Sequence, residues 1–183
     1  MKSKPAKQPR KISRQYLENA ALYYLQRYAT SAENFRRVMT RKINRSCTFH
    51  QVPPDEFYPM VEDLIVRYVA TGLLNDKVFA EAKTSSLRRQ GRSKQAIMAK
   101  LQVKGLAKKD IESALALTDA EKDGDAELAA AMTLARRKKL GHWRGKPLED
   151  IKGKQKEMAV LARGGFSFDI ARRVLDFDGE EES

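Results

Sequence analysis

Residues 101–115 read LQVKGLAKKDIESAL, a short basic segment that ends at Gly105 and is followed by an amphipathic one. Residues 161–175, LARGGFSFDIARRVL, repeat this arrangement around Gly165, and the first and tenth residues after each glycine are apolar. A weaker copy starts at residue 31 and matches the spacing of residues 93–105. Units of this size cannot bury their apolar faces alone, so the repetition predicts small helical units that stack on one another.

Apolar residues recur at helical spacing along nearly all of the chain between its two ends. A spacing of three or four residues is typical of amphipathic helices, and the alternation typical of strands is absent. We therefore predict an all-α fold of three tandem three-helix repeats that form an elongated, curved array. The predicted segments are a disordered basic arm (1–12), repeat 1 (13–74), repeat 2 (75–118), repeat 3 (119–177) and an acidic tail (178–183).

Three predicted helix starts carry N-capping signals. Thr30 and Glu33 have the spacing of a capping box, as do Thr118 and Glu121. Asp76 is a favourable N-cap residue for the first helix of repeat 2. These residues predict where the second, fourth and seventh helices begin.

The chain has 183 residues and a formal net charge of +12, with a pI near 9.8. A charge excess of this size favours a polyanionic partner, either nucleic acid or an acidic protein surface. Cys47 is the only cysteine, which excludes an intrachain disulfide. The basic N-terminal segment lacks the apolar region of a signal peptide, and no apolar run is long enough to cross a bilayer, so we expect a cytoplasmic protein.

Residue patterns that support catalysis are scarce in this sequence. Cys47 and His50 have a ligand-like spacing, but two ligands do not complete a zinc site. Glu62 and Asp63 are adjacent, so on a helix they point about 100° apart and do not clamp one magnesium ion. Neither a nucleophile elbow nor a phosphate-binding glycine loop is present. We therefore expect a protein that is not an enzyme, with no catalytic residue, no metal and no cofactor.

Lysine and arginine residues cluster near the predicted helix joints. If the repeats stack regularly, these clusters form a discontinuous basic stripe that suits a phosphate backbone. Cations late in a helix also stabilise its C-terminus, so part of this charge has a purely structural explanation. Trp143 lies in a basic loop, where it either stacks on a base or partner protein or anchors the loop to the core. The predicted stripe comprises Arg36, Arg37, Arg41, Lys42, Arg88, Arg89, Arg92, Lys94, Lys104, Arg136, Arg137, Lys138, Lys139 and Arg144.

Four segments, taken in order, resemble the RecX family of regulatory proteins. They are GLLNDKVFA (72–80), RRQGRS (88–93), LQVKGL (101–106) and RGGFS (163–167), and the resemblance spans roughly residues 15–176. It implies a fold of three tandem three-helix repeats. It also implies that the protein binds the RecA filament on single-stranded DNA and inhibits the recombinase, ATPase and coprotease activities of RecA, which modulates recombination, DNA repair and the SOS response.

Two other functions fit parts of the sequence. A helix-turn-helix transcriptional regulator would use polar residues at the start of a recognition helix, and Ser93-Lys94-Gln95 supplies such residues once. A small magnesium nuclease would need clustered carboxylates. The filament modulator accounts for both the basic charge and the four segments, so we expect a monomer whose partners are the RecA filament and single-stranded DNA, without a membrane. We expect Arg88, Arg89 and Arg92 to matter more for this function than the N-terminal arm does.

Overall fold

The computed structural model describes residues 8–121, 124–145 and 151–179, and within these ranges every regular secondary-structure element is a helix, with no strand. Two short 3-10 helices, at Asp55–Phe57 and Gly141–Trp143, accompany nine α-helices in those ranges. The α-helices are α1 (Arg14–Leu25), α2 (Ala32–His50), α3 (Tyr58–Ala70), α4 (Asp76–Arg89), α5 (Lys94–Val103), α6 (Lys108–Ala120), α7 (Ala126–Lys138), α8 (Ile151–Arg163) and α9 (Phe168–Asp176). The all-α prediction is therefore confirmed, with three successive groups of three helices.

The chain divides into two compact units, residues 1–79 and 80–183, and the boundary falls within α4. The core of the first unit forms around α2, where Phe35, Met39 and Ile43 are fully buried. The Phe35 ring meets Tyr68 of α3 edge to face, with 6.0 Å between ring centroids. The helical spacing of residues 35, 39 and 43 in the sequence thus identifies the buried face of α2 correctly.

In the second unit, the two matching glycines end their helices in the same way. Gly105 and Gly165 have φ angles of +80° and +86°, in the left-handed region that favours glycine. The next residue in each case donates its backbone N–H to a carbonyl five residues back, which satisfies a group at the helix end. Leu106 and Phe166, the apolar residues after the glycines, are both buried. At the sixth position after the glycine, Ile111 corresponds to Ala171, which is fully buried, whereas Ile170 is half-buried.

The predicted N-caps are wrong at all three helix starts. Ser31 rather than Thr30 caps α2, because its side chain accepts the N–H of Asn34. Asn75 accepts the N–H of Val78 at the start of α4, which places Asp76 inside the helix. Asp125 caps α7, and its carboxylate accepts two backbone N–H groups there. Thr118 instead lies inside α6, where its hydroxyl donates to the carbonyl of Ala114.

The end of the predicted basic arm is held against α2. Ser46 Oγ donates to the Arg10 carbonyl at 2.7 Å, and Nε2 of His50 lies 2.9 Å from the Pro9 carbonyl. Ile12 is buried in the first core. The predicted disorder of residues 1–12 is therefore wrong for residues 9–12. Residues 1–7 and 180–183 lie outside the described residues.

Candidate functional site

The start of α5 is capped from two directions. Ser93, the N-cap, accepts the N–H of Ala96 at 3.1 Å and donates to the Gly164 carbonyl at 2.7 Å. Glu127, in the first turn of α7, accepts the Lys94 N–H with both carboxylate oxygens, at 3.2 and 3.1 Å. The first turn of α5 therefore finds its hydrogen-bond partners partly in the third group of helices, which fixes this joint to α7 and to the turn after α8.

The same construction occurs at the start of α2 in the first unit. Ser31 is the N-cap, and Asp76 Oδ1 accepts the Ala32 N–H at 2.8 Å. In each case a carboxylate from the first turn of a first helix caps the second helix of the preceding group. The negative charge of each carboxylate also interacts favourably with the positive end of the helix dipole. Each contact therefore stabilises its helix both by a hydrogen bond and electrostatically.

Arg88 is buried, which contradicts its predicted place in an exposed basic stripe. Its side chain is 1% exposed and pairs with Asp119 of α6 at 2.7 Å and with Glu127 at 2.6 Å. A third bond reaches the Arg92 carbonyl at 3.1 Å. Desolvation lowers the pKa of Arg88, but the hydrogen bonds to the two carboxylates outweigh it and the pKa is raised. Arg88 therefore stays charged, holds the joint together and is not available to a partner.

Gly91 brings the joint between α4 and α5 directly onto α7. Its φ is +71°, and a Cβ at this position would lie 2.7 Å from the Leu134 backbone nitrogen and 2.9 Å from the Ala130 carbonyl oxygen. Arg137, near the end of α7, donates to the carbonyl of Gln90 beside it. The basic residues of the joint and those that end α7 are therefore neighbours within the second unit.

This contact produces an exposed basic surface, here called the joint surface, which comprises Arg89, Arg92 and Arg137. All three residues are exposed, as are Arg136 and Lys138, which precede and follow Arg137 on α7. Arg89 donates only to Ser85 of its own helix, so its charge is not neutralised by that contact. Lys139 is also exposed and ends α7 in a left-handed conformation.

The remaining predicted cations of the second unit have different surroundings. Arg144 pairs with Glu157 at 2.8 Å, with both side chains largely covered, so it supports the loop after α7. Lys94 is exposed but lines a groove together with Glu112 and Asp125. Lys104 is exposed at the end of α5. The structure thus brings together only part of the predicted set.

In the first unit, the predicted cations of α2 divide into a paired and an open subset. Arg36 binds Glu62 of α3 and Glu33, and Arg37 binds Glu33 at 2.9 Å. Hydrogen bonds from Arg36 lower the pKa of Glu62. Arg41 is exposed, and the Lys42 ammonium lies 5.7 Å from the centroid of the Tyr16 ring. Arg36 and Arg37 therefore stabilise the first unit, while Arg41 is exposed and Lys42 is half-buried.

Trp143 is engaged within the second unit. Its ring stacks on Phe177 with 5.8 Å between centroids, and the Arg136 guanidinium lies 5.6 Å from the centroid of the Trp143 ring. These contacts favour the interpretation in which Trp143 anchors its loop.

Cys47 and His50 also have structural surroundings. Cys47 is buried and burial raises the pKa of its thiol, while His50 contacts Pro9. Among the described residues, no three His, Cys, Asp or Glu side chains are arranged to hold a metal, and no helix there is long and apolar enough to span a membrane.

The residues that sequence reasoning missed are the carboxylates of the joints. Asp76, Asp119 and Glu127 belong to the first or last turns of their helices, where acids and N-caps are common for local reasons. The available signal was that Ser31 and Ser93 occupy equivalent positions in the sequence pattern. Arg10, which lies beside Lys42 and Arg45, was also absent from the predicted stripe.

Comparison with known proteins gives a consistent result. The family models of the second and third three-helix domains of RecX match residues 75–115 and 125–175. A regulatory protein RecX from Myxococcus xanthus is 42% identical over 96% of this chain and 92% of its own, and one from Agrobacterium fabrum is 31% identical over 91% and 85%. The crystal structure of RecX from Lactobacillus salivarius superposes with a TM-score of 0.63 at 23% identity, covering 89% of this chain and 96% of that one, which shows a shared fold. On these grounds the chain belongs to the RecX family of regulatory proteins.

Proposed function

We propose that this protein binds the RecA filament on single-stranded DNA and inhibits the ATPase, recombinase and coprotease activities of RecA. The observation that carries the proposal is the joint surface, where cations from two groups of helices lie side by side within the second unit. Such a surface suits a partner that presents repeated phosphates together with acidic protein groups. Membership of the RecX family supports the choice of the RecA filament as that partner.

The protein acts without catalysis in this proposal, as a monomer whose effect comes from occupying the filament. The exposed cations of the predicted stripe are the proposed contact residues, with Arg88 and Arg144 removed because both are paired and covered. Arg36 and Arg37 are secondary for the same reason, since their charges already meet carboxylates within the first unit.

The alternative function, a helix-turn-helix regulator with α5 as its recognition helix, has less support. A recognition helix inserts its first residues into the major groove, so that end must be free. Here Glu127 covers the first N–H of α5, and a Cβ on Gly165 would lie 2.5 Å from Ser93 Oγ. The start of α5 is therefore closed by the third group of helices.

The test is the single-stranded-DNA-dependent ATPase of RecA, measured with increasing amounts of this protein at two salt concentrations. We expect inhibition that weakens at higher salt, because phosphate contacts release counterions. The variant Arg89→Glu with Arg92→Glu should inhibit less while keeping the wild-type unfolding midpoint. Inhibition below stoichiometric amounts would indicate action at filament ends, and inhibition only near stoichiometry would indicate coating of the groove. Full ATPase activity at every ratio and both salts would refute the proposal.

A further inference from the structure

A second basic site lies in the first unit, where the N-terminal segment folds back onto α2. The two backbone contacts of Ser46 and His50 hold residues 9 and 10 against the last turns of this helix. Between the segment and the helix is an open pocket of about 340 Å³, lined by Arg10, Tyr16, Lys42 and Arg45 among others. This pocket, here called the arm pocket, lies outside both segments matched by the family models.

The arm pocket differs from an ordinary solvated face because its cations line one concavity. Arg10 comes from the segment, whereas Lys42 and Arg45 come from α2, so the fold brings them together from 32 or more positions apart in sequence (42 − 10 = 32). The Tyr16 ring beside Lys42 limits where that ammonium can move. Three cations that face a shared space repel each other, and a bound polyanion relieves this repulsion.

Among the described residues of the first unit, no carboxylate compensates the charge of this site. In the range 8–121, no carboxylate lies within 4.0 Å of the charged groups of Arg10, Lys42 or Arg45. By contrast, Arg36 binds Glu33 of its own helix and Glu62 of α3. The sequence next to the pocket adds the exposed Lys11, whereas the neighbouring Arg14 pairs with Glu18 at 3.8 Å. The net positive charge here is therefore available to an external anion.

We infer that the arm pocket binds the phosphodiester backbone of single-stranded nucleic acid, with Arg10 and Arg45 as the principal phosphate ligands. Arginine presents several N–H donors in a planar arrangement that matches phosphate oxygens, and Lys42 adds a third charge. A pocket of this size accommodates a phosphate with part of its sugar and is open, so a strand can pass through it. The inference deepens the proposed function and rests on it only for the choice of single-stranded DNA.

The test is binding of the full chain to a fluorescein-labelled oligothymidylate, followed by anisotropy over a series of salt concentrations and without RecA. Arg10→Gln combined with Arg45→Gln should raise the Kd about tenfold at low salt and reduce the slope of log K against log salt by about 1.4, since each phosphate contact on a single strand contributes about 0.7. The matched control is Lys109→Gln with Lys152→Gln, two exposed lysines of the second unit outside the predicted stripe, which lowers the net charge equally. The control should keep the wild-type slope, and an equal effect of both pairs, or no effect of the first, would overturn the inference.

A second measurement uses the unmodified protein and so does not depend on the folding of a variant. Bound oligothymidylate should protect Arg10 and Arg45 from an arginine-selective dicarbonyl reagent, as read by peptide mass spectrometry, while Arg172 of α9 stays reactive. Absence of protection would contradict the inference. So would equal displacement of the oligothymidylate by polyglutamate and by unlabelled oligothymidylate at the same charge concentration, since that result assigns the pocket to an acidic protein. Because RecA is absent, failure here leaves the ATPase test of the proposed function independent.

Discussion

At the scale of single residues, Arg88 depends on two carboxylates that belong to different groups of helices. Asp119 comes from the end of α6 and Glu127 from the start of α7, and each pairs with a side chain that is 1% exposed. A buried charge that loses its partners, or carboxylates that lose their buried cation, are strongly destabilising. We therefore expect Arg88 to contribute strongly to the free energy of unfolding of the second unit.

Replacement of Arg88 by methionine should lower the free energy of unfolding by about 3 kcal/mol, because two carboxylates lose the charge that neutralises them. The measurement is the midpoint of urea unfolding. Arg89→Met is the matched control, since the neighbouring side chain is exposed and makes only one local contact. A midpoint of Arg88→Met equal to that of Arg89→Met would show that the ion pairs contribute nothing.

At Gly91, backbone conformation and packing against the α7 backbone both exclude a side chain. Gly91→Ala should lower the free energy of unfolding by about 2 kcal/mol more than Gly72→Ala, because overpacking against α7 adds to the strain of a left-handed conformation. Gly72 is matched in conformation, with φ +73°, but a Cβ there meets nothing within 4 Å. Chemical denaturation of both variants measures the difference, and equal losses would mean that α7 moves away to admit the methyl group.

At the scale of helices, the N-caps differ in how much they hold together. Ser93→Ala should reduce the free energy of unfolding by about 2 kcal/mol, because one substitution removes the cap of α5 and leaves the Gly164 carbonyl without its donor. Ser167→Ala, at the exposed cap of α9, removes a single bond and should cost about 1 kcal/mol. The two variants are compared by thermal and urea unfolding. A larger loss for Ser167→Ala would contradict the assigned double role of Ser93.

The free energy of unfolding depends on pH through Asp125, the N-cap of α7. Backbone hydrogen bonds, that from Leu128 above all, and the guanidinium of Arg173 lower the pKa of Asp125 below its ordinary 3.8. A carboxylate with a lowered pKa stabilises the folded state fully above its ordinary pKa, and this stabilisation is lost as the pH falls through the folded-state value. The stabilisation from Asp125 is therefore present at neutral pH and disappears below about pH 4.

In Asp125→Asn, the capping amide does not titrate, so the loss of stability on acidification below about pH 4 should be smaller than in the wild type. Urea midpoints at a series of acidic pH values measure this. Arg173→Gln should give an intermediate result, because it removes the ion pair at 2.9 Å but keeps the backbone bonds. Identical acid dependence in the wild type and Asp125→Asn would refute the assignment.

At the scale of the whole molecule, the two units have separate cores and one of them contains the only tryptophan. Phe35→Ala removes a fully buried ring from the first core and should destabilise that unit by about 3–5 kcal/mol. Trp143 packs against the second core, so its fluorescence reports on the second unit. The fluorescence midpoint of Phe35→Ala should stay near that of the wild type, while far-ultraviolet circular dichroism shows an earlier transition.

The matched variant is Leu161→Ala, which opens a cavity in the second core and should shift the fluorescence midpoint. If Phe35→Ala shifts the fluorescence and dichroism curves equally, the molecule unfolds as one cooperative unit, and the expectation of separate transitions is wrong.

Local pattern was enough to predict the helices, because burial of an amphipathic face follows from spacing alone. The equivalence of Gly105 and Gly165 was also visible, since a left-handed residue after a helix favours glycine. The cap of α2 was misplaced by one residue, because Thr30 and Ser31 are adjacent hydroxyl residues that local rules do not rank. The cap of α7 was misplaced by seven residues, from Thr118 to Asp125.

The burial of Arg88 could not be predicted in this way. In sequence it is one of several adjacent cations, and its partners stand 31 and 39 residues away. An arginine side chain is buried only where the tertiary structure places carboxylates beside it, and a local sequence pattern does not contain this information. The candidate site was therefore predictable as a basic surface, but its division into structural and available cations was not.

The caps supplied by Asp76 and Glu127 also impose an order in time on a chain that emerges from the ribosome N-terminus first. When residues 31–50 have been synthesised, α2 still lacks one of its capping groups, which arrives only with residue 76. In the same way, α5 lacks a capping carboxylate, and the buried Arg88 guanidinium lacks one of its partners, until residue 127 has been synthesised. Each nascent group of helices is therefore completed by the next one to be translated, and in a chain that stalls between them these N–H groups bond to water instead.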